Sequence, residues 1–301
     1  MTTNVGQPKD VDFKVLGEPL NKFLTAVGYK LAREWPARYK EVVGARELFV
    51  MYVRCSQQAY LSVLYLCGDV PPDPRRKPEF CVSLAPINRS LLDTLFTLIF
   101  LLEDLPSRCE WFYEASWREA RLEQDRLLAE YGELPEWKKF FEGLNEFVSW
   151  GRQFAKLTTE QASNPGALRS WPNAGAMWRY GVDVTQPLPA AQAFMKYLDD
   201  YFYIDLSQQS HLTPGGMVKR TSFLLDEIHT LPSTEFPMKK YRYFQAAQTV
   251  MFALSMATEV EAHFGFGLKT DCLFMWGIAR PLIAIADELY EKRYRSLLEN
   301  S

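Results

Sequence analysis

Apolar residues recur at three- and four-residue intervals through most of the chain, and strand-like alternation bounded by turns is absent. The first periodic segment runs from about Val15 to Lys40, where Pro36 is expected to kink or split it. A second helix is expected over 45–67, ended by Gly68. The stretch "GDVPPDPRRKPEF" at 68–80 has four prolines and reads as a surface connection. A third helix, about 84–104, is the most apolar and is expected at the centre. "SRCE" at 107–110 has the form of a capping box, so Ser107 and Glu110 are expected to open a long charged helix ending near Tyr131. Pro135 restarts the chain into a fifth helix, to about Phe154.

Residues 158–189 change character, with four prolines that exclude a long helix and with Trp171, Trp178 and Tyr180 that argue for order. A short helical turn is expected there at about Ala174–Tyr180. A helix from Pro189 to about Leu212 then breaks at Pro214-Gly215-Gly216. A short helix over 217–228 and two long ones, 238–264 and 268–297, complete the chain. The pattern predicts an all-α fold: a polar tail, 1–14, and a single multi-helix domain, 15–298, with 158–188 as a long ordered loop over the core.

Composition narrows this picture without changing it. The 301 residues are 48% hydrophobic and 14% aromatic, enough for a large buried core. A formal charge of −3 provides no global basic field for nucleic acid or anionic lipid. Five irregularly spaced cysteines form no CxxC pair, so no zinc site is expected, and a reducing cytoplasmic setting is. The N-terminus lacks the apolar core of a signal peptide. The runs at 94–102 and 272–286 are shorter than a roughly 20-residue span, so no membrane partner is expected.

Candidate chemistry concentrates in two places. In "DLSQQSHLTPGG", 205–216, Ser207 and His211 stand one helical turn apart. With Asp200 and Tyr203 they fall within a stripe about 80° wide. An imidazole can act as acid or base and a hydroxyl as its partner or nucleophile. Equally, a His and a Ser at a helix C-terminus satisfy carbonyls and the helix dipole. The second place is the start of the third helix, where Arg89 and Asp93 stand one turn apart and lead into Phe96 and Phe100. Unpaired charges are costly inside, so the two either satisfy each other or face the Ser207–His211 helix as a polar network.

Weaker patterns have bland readings. Glu259 and His263 at i,i+4 could be two metal ligands but read better as a salt-bridged face. "MKKYRYF" at 238–244 mixes cations and aromatics as single-strand grooves do, yet is short enough to be a solvated helix start. Cys109 beside Arg108 near a helix start could have a lowered pKa, though a structural role is expected. No cofactor motif is present, and neither are a phosphate loop, a nucleophile elbow or HExxH.

Over residues 86–216 the chain resembles a loosely defined group of bacterial helical proteins of unknown function. In that group an Arg-x-x-x-acid helix precedes a Trp-containing loop and a Tyr…Ser-x-x-x-His helix. The matching positions here are Arg89 with Asp93, Trp171, and Tyr203, Ser207 and His211, with Asp93 where Glu is commoner. The resemblance implies an all-α fold and a polar site, without a reaction. The leading expectation is therefore an intracellular binding protein with a polar pocket between the 84–104 and 189–212 helices. Arg89, Asp93, Tyr203, Ser207, His211 and Trp171 would take a small polar or anionic ligand, and the 158–188 loop would cover it. The alternative is a metal-independent, HEPN-like ribonuclease, a toxin or defence effector, with His211 and Ser207 catalytic and Arg89 steadying a phosphate. The Arg that such enzymes carry shortly before their His precedes none of His211, His229 and His263. A third reading is a non-catalytic scaffold or homo-oligomer.

Overall fold

The periodic segments fold as helices, and among the described residues no strand occurs. The computed structural model describes residues 13–67, 83–211, 213–214, 216–217 and 235–299, with side chains from residue 16 and, in the last segment, from residue 241. The proline-rich connection, the helix expected over 217–228 and His229 lie outside the described residues.

Helix α1 spans Phe13–Arg33. It stops before Lys40 because Pro36 is extended, and a single tight turn, Ala37–Tyr39, follows. Gly44, at φ 74°, admits the chain to α2, Ala45–Leu66. A side chain there would collide with the Tyr113 hydroxyl, which donates to the Gly44 carbonyl at 2.8 Å. Helix α3, Leu84–Glu103, gives way at Asp104 to α4, Leu105–Tyr131. Because α4 opens at Leu105-Pro106, Ser107 is already inside it and the expected capping box does not form. The capping box that exists is Thr158 with Gln161, at the start of the short α6, Thr159–Ser163. Between them α5, Lys138–Ala155, folds back on α4 as an antiparallel hairpin around buried Trp117, Val148 and Ala155. The expected turn in the long loop is α7, Ala174–Met177, packed on α3.

The 190–210 segment is α8, Ala190–Leu198, and α9, Ile204–Ser210, joined without a break by a wider π turn, Asp199–Tyr203. After α10, Glu235–Phe264, comes α11, Lys269–Leu282. The last expected helix is broken here: Pro281 lies in its final turn and Ile283 is extended. It resumes as α12, Ala284–Leu289, a second π turn, Tyr290–Tyr294, and α13, Arg295–Glu299.

The expected central helix α3 shares the centre with α10. Every residue from 245 to 261 is buried, and α10 packs against α1, α2, α3 and α11. Helix α3 is long and apolar enough to cross a membrane, but 61% of its apolar window is buried inside the protein. Several buried polar residues of α10 have partners, although Gln245 Nε2 and Ser255 Oγ have none among the described residues. The Asn88 amide donates to the Gln245 carbonyl and side-chain oxygens, at 2.9 and 2.8 Å, and accepts from Thr249 at 2.6 Å. Trp276 donates to Thr258 at 3.0 Å. Arg293 grips both oxygens of Glu259 at 2.9 Å. Glu261 accepts from the Phe266 and Leu268 amides, closing the turn into α11. Asn88→Leu keeps the volume but leaves the Gln245 side-chain oxygen without its donor, while Thr249 retains the Gln245 carbonyl, so it is expected to lower the unfolding free energy by about 1–3 kcal/mol. Urea denaturation at an unchanged m value checks this.

Candidate functional site

Two helix faces bring the site together. Near the start of α3, Arg89 pairs with Asp93 across one turn, the Arg side chain 12% exposed and the Asp 49%. Helix α9 packs on α3 through buried Leu206. Tyr203, last residue of the π turn, lies under the guanidinium, whose carbon is 3.5 Å from the ring centroid. An edge contact with Phe96, centroids 5.9 Å apart, holds the ring from the other side. A cation on an aromatic face is attracted by the ring quadrupole, so Tyr203 fixes the plane of Arg89 as Asp93 fixes its end.

The π turn changes which carboxylate joins. Asp200, placed in the stripe by ideal helical spacing, is exposed and pairs with Lys196. Asp199 takes the inner position, accepting from the Trp178 indole at 3.0 Å, and its charge reaches Tyr203. A residue inserted into a helix rotates everything after it, and no local sequence signal marks this one.

Ser207 and His211 follow as expected on one face. The His211 amide donates to the Ser207 carbonyl at 3.0 Å, ending the helix, and the imidazole is exposed. Its charge acts on Asp93, so the two neighbour each other. Neither the Ser207 hydroxyl nor the His211 ring makes a hydrogen bond among the described residues. Beyond His211 the chain folds back on α9. Thr213 donates to the Gln208 carbonyl, and Gly216 lies so close to that carbonyl that no side chain could fit. The glycine after the helix serves this reversal.

Burial pushes the Asp93 carboxyl up, against the opposing pull of Arg89 and His211. Burial likewise raises the Tyr203 phenol. The Arg89 Nε is buried and has no partner. The cluster is thus closed at Arg89 and open at Asp93 and His211.

Trp171 is not part of it. Its ring packs against Phe100, Trp111 and Phe112 at centroid distances of 5.6, 5.3 and 5.1 Å. Phe100 stands eleven residues beyond Arg89, about 16 Å along α3. The 158–188 loop therefore covers the far half of α3 instead of the site, and reaches toward the site through Trp178.

The weaker candidates are absorbed by packing. Glu259 is held by Arg293. His263 is bonded to the Tyr39 hydroxyl at 2.8 Å and stacked on its ring, so the two make no metal pair. No group of three metal-ligating side chains occurs among the described residues. Burial pushes the Cys109 thiol up to about 12, opposite to an activated thiolate. In "MKKYRYF", Tyr241 is buried and donates to Gln209, while Tyr243 donates to the Leu282 carbonyl. Lys239 and Lys240 have side chains outside the described residues.

No known protein family matches the sequence, and no match is found among curated proteins or solved structures.

Burial, aided by the Arg38 charge, lowers the His263 imidazole from 6.5 to about 4. Between those values the unfolded chain binds a proton that the folded chain refuses. The contribution to stability is whole above pH 6.5 and is lost as pH falls toward 4. His263→Phe is expected to flatten this part of the stability–pH curve, measured by denaturant titration across the window.

Proposed function

We propose that the protein binds a small polar or anionic ligand at the mouth between α3 and the 190–210 helix, with Arg89, Asp93, Tyr203, Ser207 and His211 around it. The observation that carries this reading is the unpartnered Arg89 Nε. A guanidinium has five donors in a fixed fork, and a buried donor without an acceptor costs about 1–3 kcal/mol. Asp93 holds one end of the fork and Tyr203 its plane, and because the Nε is buried a ligand would have to enter from the open side at Asp93 and His211 to meet it. Ser207 and His211 add uncommitted polar groups beside it. Asp93 limits the charge the site accepts: a neutral or singly charged acceptor suits it better than a dianion. The free thiols of Cys55, Cys67, Cys109 and Cys272 fit an intracellular, reducing setting.

A ribonuclease is the second reading, favoured by the exposed His211 beside a carboxylate, the arrangement a general acid or base needs. It requires RNA cleavage in the presence of chelator, abolished by His211→Ala with the helical signal intact.

The binding reading is tested by thermal unfolding with formate, acetate and acetamide as probes. A ligand at about a hundred times its Kd stabilises by about 2.7 kcal/mol, a shift of several degrees. The shift is expected in the wild type, smaller in Ser207→Ala and His211→Ala, and absent in Arg89→Gln. No shift with any probe, together with an Arg89→Gln protein less stable than the wild type, would reduce the cluster to packing.

A further inference from the structure

Helix α5 has two apolar stripes and uses one. Phe141, Val148 and Ala155 are buried against α4. Phe140, Phe147 and Trp150, on the neighbouring flank, are 50%, 56% and 57% exposed. Their spacing of seven and three residues is that of a helix–helix seam.

The apolar and glycine positions around this stripe are symmetric about Phe147, with Leu144, Gly151 and Phe154 at its inner edge also touching α4. Leu144 and Trp150 stand three residues to either side, Gly143 and Gly151 four, and Phe140 and Phe154 seven. When a helix meets a copy of itself antiparallel across a two-fold axis, residues at equal distances from the axis face each other. An axis at Phe147 would set ring against ring, glycine against glycine, and Leu144 against Trp150. Gly143 supports this independently. A helix interior disfavours glycine by about 1 kcal/mol relative to alanine. Yet a Cβ at Gly143 would meet nothing within 4 Å in this chain. The small residue has no use inside the protein, and has one where a second helix must approach closely.

The ends of α5 are also complementary. Beside Phe154 lies a cavity of about 190 Å³ lined by Val42, Val43 and Pro106, with Glu41, Glu110 and Lys156 also in its wall. Antiparallel pairing delivers Phe140 and Lys139 of the other copy to this place, a ring for the apolar wall and a cation for the carboxylate that Lys156 leaves in excess. The face runs the length of α5, about 27 Å.

We propose that the α4–α5 hairpin is a dimerisation arm. Two copies of the chain pair antiparallel through α5, with the two-fold axis at Phe147, to form a four-helix bundle. The full-length protein is expected to sediment as a dimer. Phe147→Glu, at an exposed position, is expected to raise the dimer dissociation constant at least a hundredfold with an unchanged circular dichroism spectrum. In a Cys55→Ser, Cys81→Ser background under mild oxidation, Phe147→Cys should cross-link to itself. Phe140→Cys should not, but should cross-link when mixed with Phe154→Cys. A wild-type monomer at high concentration overturns the proposal, as does a dimer indifferent to Phe147→Glu. Self-cross-linking of Phe140→Cys overturns the antiparallel axis. If Phe147→Glu fails to fold, the cross-linking pattern decides alone.

Discussion

A helix enclosed on all sides needs partners for the polar groups it carries, and α10 finds its most connected one in Asn88 of α3. That one amide takes acceptors on Gln245 and a donor on Thr249, and so sets the rotation of α3 about its own axis. The next residue in sequence is Arg89, about 100° further round. With Asn88 turned inward, Arg89 faces α9 and meets Tyr203. The central packing and the polar cluster are therefore joined by two consecutive residues, one facing each way. A change that frees Asn88 loosens the placement of Arg89 as well as the core.

Much of the architecture was legible because a helix writes its period into the chain. The extents of α2, α3 and α5 follow from apolar spacing and from the Gly and Pro residues that bound them. The centrality of α10 was not legible, because Gln245, Gln248, Thr249, Glu259 and Glu261 make its sequence look half-solvated. Each is buried, and some reach residues distant in sequence, as Gln245 and Thr249 reach Asn88 and Glu259 reaches Arg293, which no local pattern can announce. The break at Ile283 was missed for a related reason: a proline in the last turn of a helix is tolerated, and whether the chain resumes in line depends on packing.

In the candidate site, the pairing of Arg89 with Asp93 and the shared face of Ser207 and His211 were readable from one-turn spacing. The meeting of the two helices was one of two open readings, and α3 and α9 do pack together. Trp171 was misplaced because its motif fixed its type but not its depth along α3. The chemistry that emerges is balanced: one cation, one carboxylate with its pKa raised, and an aromatic plane between the helices. Such a cluster discriminates by shape and hydrogen-bonding direction more than by net charge.

The π turn at Asp199–Tyr203 makes the cluster depend on a count. In an uninterrupted α-helix, each residue added or removed swings the following segment by about 100°. Excising a single position from this turn would restore regular winding and leave Ser207 and His211 in place, whereas excising one from α9 between Tyr203 and Ser207 would swing both by about 100° away from Asp93, with every one of those side chains still present. Descendants of this chain can thus lose the cluster by a three-nucleotide deletion that alters none of its members.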